Sequence, residues 1–161
     1  MKIVSNTSPL INLAMIGELE LIKKLYNIIY IPQAVFDEIV IQGKGQAGAK
    51  QIKNSSWIIV HPIKNTLLTK SLFLQLDKGE AEAIALSIEL SANLVLLDEK
   101  RGRTIATQFN LRPLGTLGIL IHAKKTGLIP LVKPLIDRLQ NHAGFWIDNQ
   151  LYQYVLTSAD E

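Results

Sequence analysis

The chain has 161 residues, a formal charge of +3, 48% hydrophobic residues and 19% charged residues. That balance fits one globular domain over residues 1–161 and excludes a disordered chain. It has no cysteine, which excludes a disulfide framework, a thiolate metal site and a cysteine nucleophile.

In chain order, strands and helices alternate. Lys2 to Ser5 is β-prone, and Ser8 followed by Pro9 reads as a helix start, because serine caps free N–H groups and proline needs no partner there. Gly17 breaks that helix, and Glu18 to Tyr26 carries Leu21, Ile22 and Leu25 at helical spacing. Ile28 to Ile31 reads as a buried strand, Pro32 opens a helix through Ile41, and Gln42 to Gly48 is an exposed loop. Trp57 to His61 is a third strand, Gly79 to Leu90 an alanine-rich helix and Leu94 to Leu97 a fourth strand. Helix follows over Arg101 to Phe109, a short strand near Arg112 to Leu114, and a helix from Gly115-Thr116 through Lys125. Pro130 opens a further helix through Gln140, Phe145 to Ile147 reads as a last short strand, and Asp148 caps a final helix.

Short, uniformly apolar strands separated by helices predict an α/β protein with a central parallel sheet covered on both faces. No apolar run approaches the ~20 residues of a membrane span, and the opening MKIVSNTSPLINLA lacks the long apolar stretch of a secretory signal. The expectation is a soluble, cytoplasmic protein without a membrane partner.

Ligands of open parallel sheets bind at the carboxyl ends of the strands. The first strand ends at Asn6 and the fourth at Asp98-Glu99. If those strands are neighbours, Asn6 and Asp98 converge, although both residue types also serve as turns and caps. Glu80 opens the alanine-rich helix one turn before Ile84 and so shares its inward face, whereas Glu82 falls nearer Glu89 and reads as solvent-facing. Asn6, Glu80, Asp98 and Glu99 together make an oxygen-rich set suited to Mg²⁺ or Mn²⁺. Lys100, Arg101 and Arg103 follow directly and could hold a phosphate backbone, or form a solvated helix start.

These segments resemble the PIN-domain family of metal-dependent ribonucleases. VSNTSPLINLA (residues 4–14), LDKGEAEAIALS (76–87) and LVLLDEKRGRTIA (94–106) resemble its three acidic motifs. GTLGIL (115–120) and GFWIDNQLYQYVL (144–156) resemble the tail of a subfamily grouped with the VapC-like toxins. The resemblance implies a three-layer α/β/α sandwich of Rossmannoid type, a homodimer, and Mg²⁺- or Mn²⁺-dependent RNA cleavage. It also implies the toxin of a type II toxin-antitoxin pair, with a small antitoxin protein as partner. It places the family's acids on Asn6, Glu80 and Asp98, with Glu99 a further ligand, and hydroxyls that order water or phosphate on Ser8 and Thr116.

Asn6 departs from the pattern, since the family has aspartate there. An amide oxygen still ligates a hard cation, but one negative charge is lost. Three readings follow: a working enzyme with a weaker metal site, compensation by Glu99 or another acid, or a PIN-like module that binds RNA or a protein without cutting. A phosphoacceptor receiver domain shares the parallel sheet, but its acids are missing at Asn6 and His61. His61, His122 and His142 lack zinc spacing and read as surface or core residues. Trp57 and Trp146 read as core or interface residues, with base stacking a second reading for Trp146. Asp148 reads as a helix cap, and Lys124 and Lys125 suit a helix end.

Overall fold

The computed structural model describes residues 1–161. Five parallel strands form one sheet in the order β3-β2-β1-β4-β5. They are β1 (Ile3–Ser5), β2 (Ile29–Ile31), β3 (Ile58–Val60), β4 (Leu94–Leu96) and β5 (Pro113–Leu114). The chain winds outward from β1 to β3, then returns to the other side of β1 for β4 and β5. The strand order therefore reverses between β1 and β4, and the loops at their carboxyl ends part there to leave a crevice. Ile3, Val4 and Ser5 pair with Leu94, Val95 and Leu96, and the Asn6 N–H extends the ladder to the Leu96 carbonyl at 2.9 Å.

Helices cover both faces. They are α1 (Thr7–Met15), α2 (Glu20–Tyr26), α3 (Gln33–Phe36), α4 (Ala49–Lys53), α5 (Thr66–Leu72), α6 (Lys78–Glu89), α7 (Lys100–Gln108), α8 (Thr116–Lys125), α9 (Lys133–His142) and α10 (Asn149–Ser158). A π-helical segment, Asp37–Gln42, continues α3. Side chains alternate across each strand. Ile3, Ile29, Ile31 and Leu96 join the larger core with α1, α2, α8 and α9. Val95 and Leu97 pack with α5, α6 and α7 on the other face, and Val4 meets Ala83 and Leu86 of α6. This is the expected three-layer α/β/α sandwich. Ala81, Ala83 and Ala85 are all fully buried, so α6 lies close against the sheet and carries its first turn to the crevice.

Several elements differ from expectation in detail. Asn6, not Ser8, stands at the cap of α1, and Pro9 falls within the first turn, where an N–H has no intrahelical partner anyway. Lys133 starts α9, with Pro134 rather than Pro130 in its first turn. Residues 145–147 form no strand, because no neighbouring strand lies beside them to pair with. Two short helices, α4 and α5, occupy stretches with no expected element.

Candidate active site in the β1–β4 crevice

Asn6 ends β1 and is 3% exposed. Asparagine at a helix cap ordinarily accepts a hydrogen bond from a first-turn N–H. Here the side chain makes no such bond, and its buried Oδ1 has no partner of any kind. A buried acceptor left unpaired costs about 1–3 kcal/mol. The Leu96 carbonyl fixes the Asn6 N–H, and the amide oxygen lies on the side of Gly79 and Glu38.

Glu80 reaches the same place from α6. Asp77 and Glu80 form a reciprocal capping box: Glu80 N–H donates to Asp77 Oδ1 at 2.8 Å, and Asp77 N–H donates to Glu80 Oε2 at 3.2 Å. Glu80 is 7% exposed. Burial pushes its carboxyl above the ordinary range, and the charges of Asp77, Glu99 and Glu38 push the same way against the pull of the Asp77 N–H. Negative charge is thus concentrated here without a cation to balance it.

Gly79 keeps the site open. A Cβ on it would lie 3.1 Å from Asn6 Oδ1 and 3.1 Å from Glu38 Oε2. Glu38 is the site residue that reading the sequence missed. It projects from the π-helical segment, an insertion frequent at functional sites. Thr7 Oγ1 donates to its Oε2 at 2.8 Å and fixes it beside the cap of α1.

Asp98 follows β4 and is held from three directions. Thr116 N–H donates to Oδ1 at 2.6 Å, Thr116 Oγ1 to Oδ2 at 2.7 Å, and Asn12 Nδ2 to Oδ2 at 3.0 Å. Burial raises its carboxyl above the usual range, and the Thr116 bonds oppose that. Thr116 is fully buried. Its single proton goes to Asp98, so it positions the acid and does not meet phosphate. Ser8 likewise donates to Glu99 Oε1 at 2.7 Å, which turns that exposed carboxylate toward α1. Thr116→Val removes one donor to Asp98 and is expected to lower activity about 10–100-fold, the usual effect of losing a group that orients a ligand. Thr116→Ser, which keeps the hydroxyl, should restore most of it; equal rates in both variants would remove Thr116 from the site.

Arg103 lines a cleft with Asp98, Arg101 lines another groove with Gln75 and Thr104, and Lys100 stands between the two and lines both. All three side chains are free of ion pairs.

No three His, Asp or Glu side chains close into a metal cage by themselves. The donors nevertheless fit a divalent cation that keeps much of its water. Mg²⁺ takes one or two carboxylates, needs hard oxygens, and would satisfy the orphaned Asn6 oxygen in the space that Gly79 leaves.

The remaining polar residues have structural partners. Glu82 is half-buried and accepts the Ala34 N–H at 2.9 Å, which corrects the expectation of a solvent-facing side chain. His122 lies 3.3 Å from the Tyr26 hydroxyl, whose pKa burial pushes up to about 12. Asp148 caps α10 by accepting the Leu151 N–H at 2.7 Å. Lys124 pairs with Glu161 at 3.3 Å. Trp57 is in the core, but Trp146 is 81% exposed and packs into none.

Comparison with known proteins supplies one strong likeness. The family model DUF3368, a PIN domain, matches residues 2–161. No curated protein matches the chain.

Proposed function

Because this chain belongs to the PIN-domain family, whose members are generally metal-dependent nucleases, we propose that it is a Mg²⁺- or Mn²⁺-dependent endoribonuclease. One observation carries the reading most directly. The buried Asn6 oxygen has no hydrogen-bond partner and lies beside Glu38 across Gly79, at the point where the strand order reverses. A fold that needed only a helix cap there would turn the amide back to the helix.

The residues divide the work as follows. Asn6 and one or two of the carboxylates Glu80, Asp98 and Glu38 are the oxygen donors that would hold the cation. When bound, a divalent cation lowers the pKa of a coordinated water and polarises a phosphoryl oxygen. Thr116, Asn12 and Thr7 hold the acids in place before substrate arrives. Lys100 and Arg103 face the same cleft with free charges and neutralise the phosphodiester backbone.

The toxin of a type II toxin-antitoxin pair is the biological role we assign. The support is the tail, GFWIDNQLYQYVL, which resembles that of the VapC-like subfamily. A small antitoxin, a homodimeric state and a cytoplasmic site of action belong to the same reading. No helix is long and apolar enough to cross a membrane.

The test is cleavage of a mixed RNA pool by the purified protein in Mg²⁺, Mn²⁺ or EDTA, with Asp98→Ala in parallel. Cutting in metal that disappears in EDTA and in Asp98→Ala is the expected result. RNA binding without cutting in any metal would replace it with the non-catalytic module.

A further inference from the structure

The cleft that holds Asp98 continues well past the acid. It encloses about 670 Å³, the size of a small-ligand site, and runs from Asp98, Lys100 and Arg103 to Trp146, Leu151 and Tyr154. Its two ends differ in chemistry. At one end, Asp98 Oδ1 and the Arg103 guanidinium flank Gly115, whose Cβ would lie 2.9 Å from the first and 3.8 Å from the second. At the other end are two exposed aromatic side chains, Trp146 at 81% and Tyr154 at 66%.

Trp146 is held out by its neighbours. Ile147 on one side is buried, and Phe145 on the other packs against the larger core. Phe145 N–H donates to the Leu139 carbonyl at 3.1 Å, and Gln140 Nε2 reaches the Ile147 carbonyl at 3.5 Å. Gly144, at φ +62°, makes the turn that admits this path. With both neighbours turned inward, the indole between them is left facing solvent. With the exposed Tyr154 in the same cleft, it presents an aromatic face to a flat ligand beside the cationic end.

We propose that Trp146 is a base-stacking platform, on which a nucleobase of single-stranded RNA lies while Arg103 and Lys100 hold the adjoining phosphate next to Asp98. The inference rests on the ribonuclease reading and extends it to substrate class. Charge complementarity selects this occupant. The cleft pairs two cations that have no carboxylate partner with an aromatic face, which is the combination that tracks a strand of backbone and bases. An unpaired strand fits and a duplex does not, since a duplex covers its own base faces.

The experiment separates binding from cutting. A fluorescent 2′-O-methyl RNA ten-mer, which cannot be cleaved through its 2′ oxygen, is titrated in EDTA into the full protein and into Trp146→Ala, Trp146→Phe and Arg103→Ala. The expected Kd rises about tenfold in Trp146→Ala and much less in Trp146→Phe, as stacking predicts. An abasic oligomer of the same length should bind the parent and Trp146→Ala equally, because only its phosphates remain. Arg103→Ala should weaken both probes and reduce the salt slope by about one charge. Equal affinity of the parent and Trp146→Ala for the normal ten-mer overturns the proposal. So does a Trp146→Ala protein that binds RNA normally but has lost a dimer seen by sedimentation, since that assigns the face to a second copy. Stacking on Trp146 without any cutting in the metal assay would leave this platform standing and remove the nuclease.

Discussion

Asn6→Asp is expected to tighten Mn²⁺ binding at least about tenfold and to raise RNA cleavage in parallel. A unit charge pair at 4 Å gains about 4 kcal/mol at an effective dielectric of 20, and tenfold needs only about 1.4 kcal/mol of it. The remainder is spent against burial and against the charges of Glu38 and Glu80, which already crowd the site. The same repulsion gives the variant a second signature. Without metal it should melt below the parent, and with Mn²⁺ it should gain more stability than the parent does, by linkage. Calorimetric titration and melting curves with and without EDTA read both effects. An unchanged Mn²⁺ affinity would show that Asn6 lies outside the metal's reach.

Glu80→Gln is expected to cut activity at least about 100-fold and yet raise stability at neutral pH. Losing a residue that merely orients a ligand already costs 10–100-fold, so losing the ligand itself costs more. Stability moves the other way for a reason of charge. The folded carboxyl titrates above its unfolded value of roughly 4.3, so across that window the folded state binds more protons than the unfolded one. Stability therefore falls as pH rises from the unfolded value through the raised folded one. Glutamine carries no such penalty, and its amide oxygen can still accept the Asp77 N–H. In EDTA at pH 7 the variant should melt higher than the parent, with each kcal/mol worth about 2–4 °C. The gap should close as pH drops below the unfolded carboxyl range. A variant that melts lower at pH 7 would mean that the Glu80 charge is needed by the capping box more than it is opposed by its neighbours.

Both variants act on residues that were legible from the sequence, and the reasons differ. Asn6 and Asp98 could be placed because β1 and β4 are short apolar runs that end abruptly in polar residues. Glu80 could be placed because Ile84, one turn on, shows which face of α6 is inward. Glu38 escaped because it stands on a π-helical segment, where 3.6-residue spacing no longer predicts direction. The available signal was position: Glu38 follows β2 by one short helix, α3, on the carboxyl side of the sheet. Thr116 was legible as a site residue but not in its role, since its proton could go to phosphate or to Asp98 and only the packing decides.

The missed helices have a similar explanation. The helix α5 exposes Leu67 and spans only Thr66–Leu72, so its apolar residues draw no clean stripe, although Asn65 caps it by accepting the Leu68 N–H. The opposite error, a strand over residues 145–147, came from reading alternation as pairing. Phe145 and Ile147 alternate with Trp146 because each finds the core, and no neighbouring backbone is needed for that. For Trp146 the readings were core, interface or base stacking; its 81% exposure removes the core reading and follows from its two neighbours.

The central strand is made first and completed late. Ile3 finds Leu94 as its partner on one side, and the Lys2 N–H that bonds Asn93 Oδ1 spans the same 91 residues. During synthesis the growing chain can pair β1 with β2, and β2 with β3, long before β4 leaves the ribosome. Throughout that interval one edge of the innermost strand stays bare, and a bare strand edge is a template for pairing with another chain. The crevice is incomplete for the same interval, because it waits for Asp98 and for the Thr116 that holds it. On the ribonuclease reading, a nascent chain is harmless to RNA until most of it has been translated, and during that time it is at its most prone to aggregate.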